Sequence, residues 1–481
     1  MIRRAIHNTL FQFVRAFICC NRNALAVCLL GALLGISSVS LAQNHKLVIQ
    51  NGATFNGIGK ITVKDSIRNS NSSVPTIITS NVVLSGAAQG IVTNASNGSL
   101  QVDTLSVRGS GIKTIVGTIA VAESLDVLSG TTLNISNDTL RIGNNFVNAG
   151  TITTNTNSVV EYIRNTGSTQ SISGGAFQGK TRLLNNTRKS LLGVLTVDSL
   201  EQSGWGLTVN SNLTVNGKAK IDSLINVTGG TTLSVGINNS TIATLQANAG
   251  IIRENSTGTL TFTNAAASNG TITNISTGTV TFANNLTGTG TVSQTANGTM
   301  NVGGSFTQNT YTLTGGTVVY NGTAAQSVIG GITYNNLTIA TTGGNATASA
   351  AITLTGNLVI NLGSTLDMAG FAASVFPGAS NNNAGAIRWS GSNVYVSGAG
   401  TTEFYSAAVG NVAAGTNYGI LLFSGTGMKT FATAGTTTAT GNVTINSGAQ
   451  VTVNNGVTVQ VNGDFSNGGN ITNNGAVKVG L

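Results

Sequence analysis

A chain of 481 residues has room for several globular domains or for one long solenoid. Only 7% of its residues are charged and 5% aromatic, and it holds 63 glycines but two prolines. That excludes a disordered chain, which carries more charge and proline, and a helix-rich enzyme, which shows amphipathic runs of Glu, Lys and Leu. The formal charge of +9 is no argument for nucleic acid, because no basic patch interleaved with aromatics accompanies it.

Residues 1–42 read as a signal peptide. Arg3, Arg4, Arg15 and Arg22 make a long basic stretch, and Ala24 to Ile36 is an apolar core. Ser40-Leu41-Ala42 places small residues ahead of a cleavage after Ala42. The apolar core is short of the ~20 residues a spanning helix needs, so no transmembrane segment is expected in the mature chain. Cleavage removes Cys19, Cys20, Cys28 and His7, which leaves no thiol and His45 as the one histidine. Beyond Glu254 the charged residues are Asp367, Arg388, Glu403, Lys429, Asp464 and Lys478, and they sum to zero.

Residues 43–80 carry irregular strand signals such as Lys60-Ile61-Thr62-Val63. They are assigned to a cap over the open end that a solenoid presents. Over 81–481 the pattern is regular. Strands of four to six residues alternate Val, Ile, Leu or Thr with Ser, Asn or Thr, and each ends in Gly or Asn.

A longer period of about 77–84 residues overlies the short one. Leu105-Ser106-Val107 precedes Gly109-Ser110-Gly111-Ile112-Lys113, and Leu421-Leu422-Phe423 precedes Gly425-Thr426-Gly427-Met428-Lys429 in the same frame. Leu183 with Arg188-Lys189 behind it, and Leu337, are weaker copies. Gln326-Ser327-Val328-Ile329-Gly330-Gly331 likewise echoes Gln170-Ser171-Ile172-Ser173-Gly174-Gly175, and Tyr320 closes a β-branched run as Tyr162 does.

Two all-β architectures accommodate such a unit: tandem β-sandwich repeats, or a parallel β-helix with ~20 residues per coil. A sandwich core needs large inward side chains, whereas the inward candidates here are Val, Ile, Leu, Thr and Ala. Small like residues suit a stacked column. Asn suits its corners, because it tolerates left-handed backbone and its amide can bond from coil to coil. The expected fold is a right-handed parallel β-helix.

Ser-, Thr-, Asn- and Gly-rich repeats behind a signal peptide resemble bacterial surface proteins with β-helical stalks. Autotransporter passengers and filamentous-haemagglutinin-like adhesins are of this kind. The phrase Tyr334-Asn335-Asn336-Leu337-Thr338-Ile339, with Gln326 and Gly330-Gly331 upstream, resembles repeats in large secreted proteins of gliding and related Gram-negative bacteria. The resemblance implies an exported protein at the cell surface or outside the cell, an adhesin or its stalk, meeting surface glycans or neighbouring cells. It departs at Val477-Lys478-Val479-Gly480-Leu481, where no translocating barrel or sorting domain follows. Either a fragment or a last coil covered by a partner, with end-to-end self-association, is therefore expected.

Polysaccharide lyases and hydrolases also use parallel β-helices, and resemblance to them implies carboxylates stacked on neighbouring coils. Asp103 and Glu123 are 20 residues apart, and Glu201 and Asp222 are 21 apart, near Arg188, Lys189, Lys218 and Lys220. The Asp198–Asp222 region is the place such an enzyme would use. Against it, Asp65, Asp103, Asp138, Asp198 and Asp222 all precede Ser or Thr and then Ile or Leu. That is the habit of a turn former whose carboxylate accepts backbone N–H groups. No catalytic, cofactor-binding or metal-ligating residue is assigned. Tyr162, Tyr320, Phe404, Tyr334 and Tyr418 are expected inside the coil. The expected function is that of a non-enzymatic surface adhesin or stalk. The alternatives are a carbohydrate-active enzyme and a structural unit of an envelope layer or fibre.

Overall fold

The computed structural model describes residues 39–40, 47–49, 55–69, 76–87, 89–93, 100–371, 382–383, 385–389 and 400–480, apart from 136, 165–166, 168, 186, 237–238, 256, 406, 408–409 and 413–416. Most of the leader assigned to 1–42, and His45, lie outside them; Val39–Ser40 pair in parallel with Ile61 and Thr62. All regular elements described are strands, and all pairings described are parallel. The sandwich alternative requires antiparallel neighbours, so the chain is a parallel β-solenoid. It forms two compact units, Met1–Ala243 and Thr244–Leu481.

Unit 1 has three faces. The first carries Ile67–Asn69, Gln89–Thr93, Ile112–Val116 and Thr132–Ile135 on successive coils. The second runs in register from Leu100 through Ile119, Leu140, Val160, Thr181 and Leu200 to Ala219. The third includes Gln170–Ile172, Lys189–Leu191, Leu207–Val209 and residues 225–227. Alternation does the sorting. On the second face Val121, Ile142, Tyr162 and Leu183 stack inward and are buried, while Ala120, Arg141, Glu161 and Arg182 stack on the outer side. Within the segment assigned to the cap, Leu47–Ile49 and Phe55–Val63 pair in parallel with the coils that follow.

Unit 2 is built the same way. Leu260, Val280, Met300, Val318, Leu337 and Leu358 form one buried column in register. Phe262 and Phe282, one coil apart, stack with ring centroids 5.0 Å apart, close to the ~4.8 Å strand spacing. Asparagines clip coil to coil: the Oδ1 atoms of Asn269, Asn285 and Asn336 accept N–H groups of Thr289, Ser305 and Asn357 at 2.8–3.0 Å. Asn137 and Asn185 in unit 1 take the left-handed φ values expected of corner asparagines, 59° and 70°.

Corners are held from inside by Lys and Gln at the start of strands. Gln89 accepts the Gly86 N–H at 2.8 Å and donates to the Val63 carbonyl at 2.7 Å. Directly above it in register, Lys113 donates its ammonium to the Ser110 carbonyl. Lys429 repeats this with the carbonyls of Ser424 (2.6 Å) and Gly425 (3.0 Å). Gln326 donates to Val302 and Gly304, both at 2.9 Å. The recurring Lys and Gln of the sequence thus fasten turns, and all four are buried.

Candidate functional site

The outer column of the second face of unit 1 alternates charge. Arg141, Glu161, Arg182, Glu201 and Lys220 face one another in register on five successive coils. Arg141 donates to Glu161 at 2.8 Å, and Arg182 donates to Glu161 at 3.0 Å and to Glu201 at 3.3 Å. Glu161 is the buried member, its side chain 6% exposed. Burial alone would raise its pKa, but the hydrogen bonds and charges of the two arginines outweigh this and hold the carboxyl below its usual range. In parallel in-register strands like charges would stack, so alternation is what makes the column stable.

The chain turns from the second face to the third at a corner beside this column. Successive coils place there Asp103, Glu123, Asn144, Arg164, Asn185, Trp205 and Asp222. Three hydrogen bonds run along it. Asn144 Nδ2 donates to Glu123 Oε2 (3.1 Å), Arg164 donates to Asn144 Oδ1 (2.6 Å), and Asn185 Nδ2 donates to the Ile163 carbonyl (2.6 Å). Asp103 is pushed above the usual carboxylate range, first by burial and then by the neighbouring Glu123 charge.

A groove of about 430 Å³ opens at this corner, lined by Gln101, Glu123, Asn144 and Arg164. It exists because the side chains on its floor, Ala120, Ala122 and Gly143, are small. Gly143 cannot be larger, since a Cβ there would collide with the Ala122 carbonyl oxygen.

Trp205 stands out from the same corner, 67% exposed, between Gly204 and Gly206 at φ 120° and 130°. Those angles are open to glycine and strained for other residues. Gly204 packs on the Asn185 carbonyl of the coil before it, and Gly206 on Leu224 of the coil after it. Trp205 thus stands at the same corner as the groove, two coils past Arg164.

Of the two acid pairs that sequence spacing suggests, one is brought together and the other is not. Asp103 and Glu123 do meet at one corner. Glu201 belongs to the charge column, and Asp222 bonds Lys220 at 2.8 Å. Asp198 precedes the second face, where it accepts the Gly179 N–H of the previous coil at 3.0 Å, as a turn former should; Asp222 follows that face, so the two lie at different corners. Lys189 faces inward and donates to Thr187 Oγ1 at 2.8 Å.

Unit 2 holds a second charge group that spacing alone did not reveal. Arg388 donates to Glu403 at 2.7 Å, lies 3.5 Å from Asp367, and sits under the Tyr405 ring at 4.4 Å. Tyr405 donates to Asp367 at 2.7 Å. Three of the six charges beyond Glu254 therefore converge.

Among the described residues no group of three or more His, Cys, Asp or Glu is placed to hold a metal ion, and no helix is long and apolar enough to cross a membrane. No protein-family model, curated protein or solved structure matches the chain.

Proposed function

We propose that the chain is an exported, non-enzymatic protein of the bacterial cell surface, an adhesin or the stalk of one. The observation that carries this reading is the charge column from Arg141 to Lys220. With Asp222 bonded to Lys220 at 2.8 Å, the column's three cations meet three carboxylates in a stripe along the side of a stacked β-solenoid, so the wall presents hydroxyls and amides with little net field. Contacts made by such a wall depend little on ionic strength.

The test is to express the full chain with its leader in a Gram-negative host and to treat intact cells with protease. The reading expects a mature N-terminus at Gln43, surface digestion, and cell-to-cell adhesion that survives moderate salt. An uncleaved chain retained in the cytoplasm would overturn it.

One observation favours a second reading, a carbohydrate-active enzyme. Asp103, its carboxyl raised, stands beside Glu123, which lines the groove, an arrangement suited to proton transfer. Release of reducing ends from polysaccharide, lost in Asp103→Asn, would establish it in place of the first. No release would remove it.

A further inference from the structure

We infer that the corner of unit 1 from Gln101 to Trp205 is a binding site for a linear, uncharged oligosaccharide lying along the stacking direction of the coils. This deepens the adhesin reading and rests on it for its biological setting, although the site itself is argued from geometry.

Two independent features of the corner point to such a ligand. The first is the groove. Gln101, Glu123 and Asn144 come from three successive coils and Arg164 from a fourth, above a floor kept low by Ala120, Ala122 and Gly143. Carboxylate, amide and guanidinium are joined by hydrogen bonds of 3.1 and 2.6 Å, which fix the orientation of the Asn144 amide. Acceptors and donors then alternate along the wall. Hydroxyl groups, which both donate and accept, complement that order; a ligand with acceptors alone would not.

The second is Trp205. A tryptophan two-thirds exposed and held out by two glycines at positive φ is an unusual surface residue. It lies two coils beyond Arg164, about 10 Å at ~4.8 Å per coil. Its π face is electronegative and attracts the polarised C–H groups on the face of a pyranose ring. From Asp103 to Trp205 the corner spans five coil steps, about 24 Å, which suits a chain of sugars rather than one.

Charge selects among glycans. Glu123 and Arg164 offset each other through Asn144, and Asp103 adds a carboxyl group beside Glu123, so a polyanion gains nothing here. The bordering column from Arg141 to Glu201 alternates in sign and adds no steering field.

The experiment is calorimetric titration of the full mature chain with hexasaccharides of β-1,4-glucan, β-1,3-glucan, α-1,4-glucan and chitin, with hexagalacturonate as the anionic counterpart. At least one neutral hexamer should bind, its affinity unchanged between low and moderate salt. Trp205→Ala should weaken it about tenfold with an unaltered circular dichroism spectrum, because the ring is exposed. Asn144→Leu, which breaks the bonded chain in the groove, should weaken it by a similar factor. Absence of binding by every neutral hexamer, binding indifferent to both variants, or preference for hexagalacturonate would each overturn the inference. Display on the cell surface is measured separately: surface display without oligosaccharide binding sinks this site alone, and binding by a chain that stays in the cytoplasm sinks the adhesin reading alone.

Discussion

The hydroxyl oxygens of Tyr320 and Tyr334 lie 3.0 Å apart inside unit 2. They close a small circuit with one residue between them: the Ile329 N–H donates to Tyr320 at 3.1 Å, and Tyr334 donates to the Ile329 carbonyl at 2.6 Å. Both rings are fully buried, and burial pushes the Tyr320 phenol up to about 12 despite the bonds it accepts and shares. Tyr162 holds the matching place in unit 1, at the end of the strand that pairs with Leu183 as Tyr320 pairs with Ile339. Its hydroxyl is buried with no hydrogen-bond partner among the described residues.

The two tyrosines should therefore answer differently to the same change. Tyr320→Phe leaves the Tyr334 hydroxyl and the Ile329 N–H short of a partner and should cost about 1–3 kcal/mol. Tyr162→Phe removes an orphaned hydroxyl and should be neutral or stabilising. Urea midpoints of the two variants against the parent chain check this. Equal destabilisation by both would refute the assignment.

Lys189 gives a pH dependence of definite sign. Burial, aided by the Arg164 charge, lowers its pKa from 10.5 to about 8. Between those values the unfolded chain binds more protons than the folded one, so stability rises with pH from about 8. The buried tyrosines oppose this from about pH 10 upward, because their pKa values are raised on folding. The variant Lys189→Gln should lose the rise between pH 8 and about 9.5 and be more stable than the parent at pH 7. Denaturation midpoints at half-unit pH steps measure it; a parallel pH profile in the variant would contradict it.

The charge column makes a third prediction. In Glu161→Gln both arginines lose their shared carboxylate, and the loss should be about 1–3 kcal/mol at pH 7, with the exposed Arg141 contributing little of it. Because the folded-state pKa of Glu161 is depressed, its contribution is complete above about 4.5 and disappears as pH falls through the lower folded value. Parent and variant should therefore converge in acid. A difference that persists unchanged at pH 3 would assign the effect to packing instead.

Alternation was enough to read the faces, because in and out positions differ in polarity at every strand. Corners were less legible because their lengths vary. Asp103 alone turns one coil from second face to third, whereas at another the second-face strand ends at Tyr162 and the third-face strand begins at Gln170. Counting ~20 residues between acids thus paired Asp103 with Glu123, which share a corner, but also Glu201 with Asp222, which do not: Glu201 stands on the second face and Asp222 at the corner after it. The column Arg141, Glu161, Arg182, Glu201 and Lys220 was open to the same count, with sign alternating at each step; a search restricted to carboxylate pairs passes over it. Nothing in a lone tryptophan tells exposure, although its two flanking glycines are a sequence-level hint that no strand continues through Trp205.

The last prediction concerns the corner fasteners. Gln89 and Lys113 are paired in register on adjacent coils, as are Gln170 and Lys189, so the fold already alternates amide and ammonium in one position. What the position requires is a long side chain that ends in N–H donors, because carbonyls lie within its reach: Ser110 of its own turn for Lys113, and Val63 and Ile142 of the coil before for Gln89 and Gln170. Lys113→Gln should then be tolerated, within about 0.5 kcal/mol of the parent, since it exchanges one donor for another and removes a buried charge. Lys113→Met fills the same space but leaves the carbonyls without donors, and should cost about 1–3 kcal/mol. Hydrogen exchange should show the loss locally, in residues 109–115 and the coil beneath them, as stacked coils open with their nearest neighbours. If Met is accepted as readily as Gln, the lysine serves packing alone, and the hydrogen-bond account of the repeated Gly-Ser-Gly and Gly-Thr-Gly turns is wrong.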